Sequence, residues 1–312
     1  MFYRYGAFQP TSGSDTGRIV PALLKPDGHW VEDKRTNPLQ HFEWLSDPLI
    51  ENKVAVHHPR LLLNKRYLIL ARLQATARGA VFLAVDINTG RSCVVKVASR
   101  HSLVQHDGTH AGIQLANEFA ALSFVQGLPG APEIVEWLPG DNSFLITSEV
   151  RGETLPQWLK QYVASGKPKT SVVSTVGQAI GRSLVELHAR GVFHRDLSPT
   201  NVMVRSDGTA VLIDLGLAYH PNSRAVMVGG TPGYVKRSAS GHPSALEDIY
   251  GFGAILFYIA TGGDPPPTST ISANSIRNAA PDIDSGIEYV ITRSLNANEE
   301  NVSLVSLLQA LP

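Results

Sequence analysis

Cysteine is almost absent from this 312-residue chain, where Cys93 stands alone. One thiol cannot form an internal disulfide or a cysteine zinc cluster, which favours a reducing compartment. An excess of charge of either sign is missing as well, since 27 Lys and Arg balance 27 Asp and Glu. No global field draws the chain to nucleic acid or anionic lipid, so a partner has to be recognised locally. The longest near-apolar run, Ile249 to Ala260, falls short of the about 20 residues that a membrane helix needs and reads as a buried core helix. The start, Met1-Phe2-Tyr3-Arg4-Tyr5, lacks the basic segment and apolar run of a signal peptide. No internal repeat or low-complexity tract is apparent. These absences set the expectation of a cytoplasmic protein with no nucleic-acid and no membrane partner.

What is present is ample apolar material. At 43% hydrophobic residues, the chain can bury a substantial core and suggests about two globular units. Residues 1–64 hold scattered aromatics and prolines with little periodicity, and read as an extension of unknown role. From Tyr67 the pattern changes. Tyr67 to Leu70, Val81 to Val85 and Cys93 to Val97 are β-branched or aromatic runs separated by turn signals such as Asn88-Thr89-Gly90, and predict an antiparallel meander. A helix is expected around Ala111 to Gln126, with Leu115, Phe119, Leu122 and Gln126 along one face. Two more strands follow, near Ile134 to Leu138 and Phe144 to Thr147. Beyond Arg151 the chain turns helical, and Val173, Val176, Ile180, Leu184 and Leu187 trace one long amphipathic helix. The fold class is therefore α+β, a small sheet with one helix followed by a helical lobe, with a cleft between them suited to a ligand.

One stretch carries chemistry, His194-Arg195-Asp196-Leu197-Ser198-Pro199-Thr200-Asn201. A base that accepts a hydroxyl proton (Asp196) and a metal ligand five positions on (Asn201) need one rigid loop to face the same phosphate. Val202-Met203-Val204 and Val211-Leu212-Ile213 flank Ser206-Asp207-Gly208 and predict a hairpin that returns Asp214 to the side of Asn201, where two oxygen ligands can share magnesium. Read alone, His-Arg-Asp is also compatible with a helix-end charge cluster, and Asp214 with a turn cap. Lys96, in the apolar run Val94-Val95-Lys96-Val97, needs a partner for its ammonium, and Glu118 on the following helix is the candidate. The alternative is a Lys stem snorkelling from a sheet edge.

The ordered set HRDLxxxxN, the triplet Asp214-Leu215-Gly216, Lys96 and Glu118 resembles eukaryotic-type serine/threonine protein kinases of bacterial kind, from about Lys65 to Leu311. The resemblance implies a bilobal kinase-like domain over 65–312, with an N-lobe of 65–150 and a C-lobe of 151–312. It also implies ATP and Mg2+ as cofactors and a protein or peptide as substrate. Carried over position by position, Asp196, Lys96 and Glu118 are the expected catalytic residues. Lys96, Gly79, Val81, Glu149, Asn201 and Asp214 are the expected nucleotide-binding residues, with Asn201 and Asp214 holding magnesium. Asp248 matches the Asp that holds the catalytic-loop backbone, and Leu122, His194 and Leu215 match a hydrophobic column between the lobes. Arg195 is in position to bind a phosphate on the activation segment, where Tyr219 and Ser223 are candidate acceptors.

The chain also departs from that pattern. Between the first two strands only the third glycine remains, Gly79, with Gln74 and Thr76 at the other two positions, so the phosphate-covering loop is expected to be stiffer or further away. Ser198 stands where a Lys steadying the γ-phosphate is usual, which removes one transition-state cation. After Gly230-Thr231-Pro232-Gly233-Tyr234 comes Lys236-Arg237-Ser238 in place of Ala-Pro-Glu, and Asn301 sits about where the Arg partner of that Glu belongs. These departures favour the alternative of a nucleotide-binding pseudokinase acting as a scaffold. Asp196 to Val204, with Leu128-Pro129-Gly130-Ala131-Pro132, is similar to the kinase part of class III and IV lanthionine synthetases, which phosphorylate Ser and Thr of a precursor peptide. On that resemblance the chain is too short for a cyclase domain, and 64 leading residues are too few for the usual lyase domain. His101, His106 and His110 with Asp107 share a loop in which Gly108 argues against helical ligand geometry, so they read as solvated. His57-His58 reads the same way.

Overall fold

The computed structural model describes residues 10–12, 19–25, 27–32, 62–76, 79–99, 102, 110–164, 169–223, 227–236, 242–266, 273–297 and 302–312. Near the start, β1 (Pro10–Ser12), β2 (Ile19–Leu24) and β3 (Trp30–Glu32) form a three-stranded antiparallel sheet in the order β1-β2-β3. The larger sheet has six strands in the order β4-β5-β6-β7-β9-β8. They are β4 (Leu62–Leu63), β5 (Tyr67–Thr76), β6 (Gly79–Asp86), β7 (Arg91–Ser99), β8 (Ile134–Leu138) and β9 (Asn142–Ser148). All five predicted strands are present. The first runs six residues beyond its expected end, because β5 stays paired with β6 as far as Thr76 opposite Gly79. Only Ala77 and Arg78 separate the two strands, and both lie outside the described residues.

Alternation sorts the sheet into two faces. Val81, Leu83, Val94 and Lys96 share one, since Val81 pairs with Lys96 and Leu83 with Val94. The other face closes its own small core of Tyr67, Ala84, Cys93, Val95 and Ile146. Helix α1 (Ala111–Phe124) packs on β7, β8 and β9. It ends two residues before Gln126, which was expected on its apolar face. Gln126 is exposed in the following turn, and its Oε1 accepts from the Ile134 N–H at 3.1 Å. The turn reverses at Gly127, whose φ of +83° a side-chain-bearing residue rarely adopts.

The helical part begins with α2 (Leu155–Ala164) and α3 (Lys169–Ala189). All five apolar positions traced from the sequence of α3, from Val173 to Leu187, are buried. A three-stranded antiparallel sheet follows, of β10 (Glu153–Thr154), β11 (Val202–Val204) and β12 (Ala210–Leu212), in which Val202 pairs with Leu212 and Val204 with Ala210. Helix α4 (Ala245–Thr261) contains the long apolar run and is buried from Ile249 through Ala260 apart from Tyr250 and Tyr258. Gly262 ends it in the left-handed conformation, with its N–H on the Tyr258 carbonyl. Then come α5 (Ala273–Ala279), α6 (Ser285–Leu295), capped by the Asp284 carboxylate, and α7 (Leu304–Ala310), capped by Ser303. Among the described residues no helix is long and apolar enough to cross a membrane.

Helices α4 and α6 meet at a glycine. A Cβ on Gly253 would lie 2.5 Å from the Ser294 Cβ, an atom rooted in its own backbone, so the two helices approach as closely as they do because position 253 has no side chain. Gly253→Ala is expected to force them apart and cost about 1–3 kcal/mol in chemical denaturation. Gly263→Ala, with open space around the added Cβ, is expected to leave the midpoint within error or raise it.

Candidate active site

The site rests on one carboxylate. Asp248, in the first turn of α4, is fully buried and accepts three hydrogen bonds, from the backbone N–H groups of His194 (2.8 Å) and Arg195 (2.7 Å) and from His188 Nε2 (2.8 Å). Burial by itself pushes such a carboxyl up. The His188 imidazole and the backbone donors reverse that and hold Asp248 below the usual carboxylate range. The backbone it grips is strained, since Arg195 has φ +64° without being glycine, and Asp214, further along the site, has φ +65°. The His194 ring accepts the Asp196 N–H at Nδ1 (3.3 Å) and so presents Nε2–H to the Ile213 carbonyl (3.1 Å), tying the loop to the strand that returns the chain. Asn201 completes the closure. Its amide donates to the Asp196 carbonyl (2.9 Å), and its own carbonyl accepts from the Ile213 N–H (2.9 Å).

Above this loop, Lys96 on β7 meets Glu118 on α1 at 2.5 Å, and Asp214 Oδ1 stands 4.0 Å from the same ammonium. The Lys96 side chain is 20% exposed and that of Glu118 5%. Burial lowers the pKa of Lys96, but the two carboxylates outweigh it and keep the ammonium charged. Burial pushes the Glu118 carboxyl up, against the opposing pull of Lys96 and a hydrogen bond from the Leu215 backbone. The pair is thus a desolvated one, and removing either partner would strand a charge.

These residues surround one cleft of about 940 Å³ between the six-stranded sheet and the helical part. Lys96, Glu118, Asp196, Asn201, Asp214, Gly79, Val81 and Glu149 all line it, so the residues expected to act or to bind nucleotide border the same cavity. Among the described lining residues four carboxylates (Glu118, Glu149, Asp196 and Asp214) face one ammonium, Lys96. Gly79 has its own reason to be glycine. Its φ is +152°, and a Cβ there would fall 1.9 Å from the Val97 carbonyl oxygen of the neighbouring strand. Opposite it, Thr231 donates to Asp196 Oδ1 through both its backbone N–H (2.8 Å) and its hydroxyl (2.9 Å).

The protein kinase domain model matches residues 73–308, the whole span that holds this cleft. The chain belongs to the protein kinase family. Residues 1–59 are matched by the model of the RamC N-terminal domain. Among similar proteins is a probable SapB synthase of Streptomyces coelicolor, 29% identical over 74% of this chain and 26% of its own length. The serine/threonine-protein kinase PknA of Nostoc is 29% identical over 67% of this chain and 39% of its own length. Serine/threonine-protein kinase C of Synechocystis is 28% identical over 76% of this chain and 47% of its own length. The chain thus spans between about a quarter and a half of the length of these relatives.

Within this domain, two departures and one expected match, Arg195, take physical form. Ser198 is 1% exposed and shares a hydrogen bond with the Thr200 hydroxyl (3.1 Å), and it is Thr200 that lines the cleft. Arg195, expected to face a phosphate, is already matched. Its Nε donates to Glu247 at 2.8 Å, both side chains are under 5% exposed, and its Nη1 donates to the carbonyls of Leu217 and Met227. Burial without a counter-ion would be costly, and Glu247 supplies one from the residue before Asp248. Lys236 rests over the Tyr250 ring at 5.9 Å, while Arg237, Ser238 and Asn301 lie outside the described residues. The two candidate acceptors sit on ordered backbone. Tyr219 exchanges backbone hydrogen bonds with Phe193 and stacks on its ring, and the Ser223 hydroxyl accepts from the His220 N–H (2.9 Å). Of the histidine loop, His101, His106 and Asp107 are outside the described residues and His110 is the extended residue just before α1. His57-His58 is outside them too.

Sequence reasoning missed Thr231 and Glu247 as parts of the site. Thr231 lay in a quoted motif, but its bond to Asp196 crosses 35 residues, and Glu247 crosses 52 to reach Arg195. Asp248→Ala is expected to lower stability by about 3 kcal/mol or more, because three buried donors lose their acceptor together. A carboxyl with a depressed folded-state pKa contributes stability above its ordinary range and loses it as pH falls through the depressed value. The gap between wild type and variant in urea denaturation should therefore hold across neutral pH and close only in acid, below the usual carboxylate range.

Proposed function

We propose that this chain transfers the γ-phosphoryl group of ATP to a Ser or Thr hydroxyl of a protein or peptide. The observation that carries the reading is the convergence of the Lys96–Glu118 pair, Asp196, Asn201 and Asp214 on one cleft. Asp196 is the general base. Thr231 occupies its Oδ1 with two hydrogen bonds, which orients the carboxylate and leaves Oδ2 for the acceptor hydroxyl. Lys96, held by Glu118, positions the α- and β-phosphates, under a loop whose Gly79 lets the strand turn close to β7. Glu149 and Val81 line the nucleotide end of the cleft.

The donor set suits magnesium. Oxygen ligands from Asn201 and Asp214 are the hard donors that such a cation takes, and the surplus of carboxylates over ammonium calls for added positive charge before a triphosphate can enter. Bound there, magnesium would neutralise charge on the phosphates. A single cysteine and a requirement for ATP support a cytoplasmic place of action.

A more specific reading is a precursor-peptide kinase of lanthipeptide-like biosynthesis. It is favoured by the match of residues 1–59 to the RamC N-terminal domain and by the similarity to a probable SapB synthase. Purified chain incubated with γ-labelled ATP, magnesium and a Ser/Thr-containing acceptor is expected to transfer label. Asp196→Asn should slow that transfer by about 10²–10⁴-fold, and Asp214→Ala should abolish it. Nucleotide binding with no transfer to any acceptor would replace this reading with the scaffold.

A further inference from the structure

Beside Glu118 on α1 sits a residue that the transfer reaction does not use. Asn117 is 9% exposed, and its amide nitrogen donates to the carbonyls of Gly216 (3.1 Å) and Ala218 (2.8 Å) in the segment that follows Asp214. Its amide oxygen faces His220 Nε2 at 3.2 Å. His220 is 3% exposed, and its Nδ1 accepts the Asn222 N–H at 3.3 Å, which leaves the ring proton on Nε2 and directs it to Asn117. The amide can therefore point only one way. Flipped, it would set its oxygen against two carbonyls and its NH2 against a ring N–H.

The clasp is closed by apolar contact. Phe124, at the last turn of α1, stacks on the His220 ring at 5.3 Å, and the turn from His220 to Ser223 is held by a hydrogen bond in each direction. Desolvation lowers the His220 pKa, so the ring stays neutral as the tautomer requires. Asn117 and Glu118 are consecutive, and so are Asp214 and Leu215, whose N–H reaches the Glu118 carboxylate. The residues that contact Lys96 are thus each next to a residue that joins the two segments.

We propose that Asn117 and His220 are positioning residues for phosphoryl transfer, joining helix α1 to the segment after Asp214 so that Glu118 stays on Lys96. The proposal rests on the kinase reading above. It adds that a neutral amide–imidazole clasp holds the two segments together.

The test uses full-length protein co-expressed with a phosphatase and verified as unphosphorylated by intact mass. His220→Leu keeps the volume against Phe124 and removes the donor, whereas His220→Gln keeps an N–H donor near the Nε2 position. His220→Leu and Asn117→Ala are expected to lower kcat at least tenfold with the KM for the acceptor peptide within about twofold. His220→Gln should recover to within threefold of wild type. Hydrogen exchange read on peptides covering 111–124 should quicken at least tenfold in the Leu and Ala variants and stay near wild type in the Gln variant. The proposal is overturned if the Leu variant keeps wild-type exchange in α1, or if the Leu and Gln variants behave alike at equal thermal midpoints. Should wild type transfer no label, the kinase reading fails, and the exchange measurement decides the clasp independently of turnover.

Discussion

The Asp248 carboxylate governs the site, although it touches no reacting group. A backbone that places Asp196 and Asn201 on one side of a loop has to pass through a left-handed arginine, and such a conformation persists only when its surroundings over-determine it. Two consecutive N–H groups held by one buried carboxylate supply that constraint. The carboxylate is itself fixed because α4 is buried along most of its length and because His188 on α3 satisfies it from the other side. Chemistry at the cleft is thereby coupled to packing in the middle of the helical part. A shift of α4 would move Asp196 before it moved any strand of the sheet.

The upper half of the cleft follows a different logic. There the ammonium of Lys96 lies among carboxylates, and its charge survives burial only through Glu118 and Asp214. An ion pair that is desolvated contributes little net stability. Its value lies in direction, since Lys96 is held where phosphates would lie while α1 and β7 stay in register. The pair also explains why α1 needs attachments other than itself. The helix has no side-chain cap at its first turn and no basic residue in its last, so its position depends on the sheet, on the Leu215 backbone and on the Asn117 contacts.

Much of this was legible in the sequence where the determinants are local. The hairpin of β11 and β12 follows from alternation around a Ser-Asp-Gly turn, and its register returns Asp214 as the spacing requires. Helix α3 follows from a 3.6-residue period that ends in a core. Boundaries were less legible, as at Gln126, where the apolar period continued past the point at which Gly127 turns the chain. Least legible were clasps between distant segments. Asn117 finds its partners 99 and 101 residues away, and nothing near it in sequence marks it as anything but a polar helical residue. Thr231 and Glu247 are the same case. Their types are ordinary, and only the fold reveals that one hydrogen-bonds the Asp196 carboxylate and the other neutralises an arginine.

The distribution of positive charge draws these strands together. The catalytic loop contains one cation, Arg195, and it is directed away from the cleft onto Glu247 and two carbonyls. The position where a lysine would face the phosphates is Ser198, buried and bonded to its neighbour. Lys96 is therefore the single ammonium among the described lining residues. At an effective dielectric constant of about 20, one added charge at 4 Å is worth about 4 kcal/mol. For the proposed phosphoryl transfer, that stabilisation would come from a divalent metal held by the oxygen donors of Asn201 and Asp214. Charge at Arg195, by contrast, is settled within two adjacent residues of α4, so the helix that fixes the loop's backbone also fixes its electrostatics.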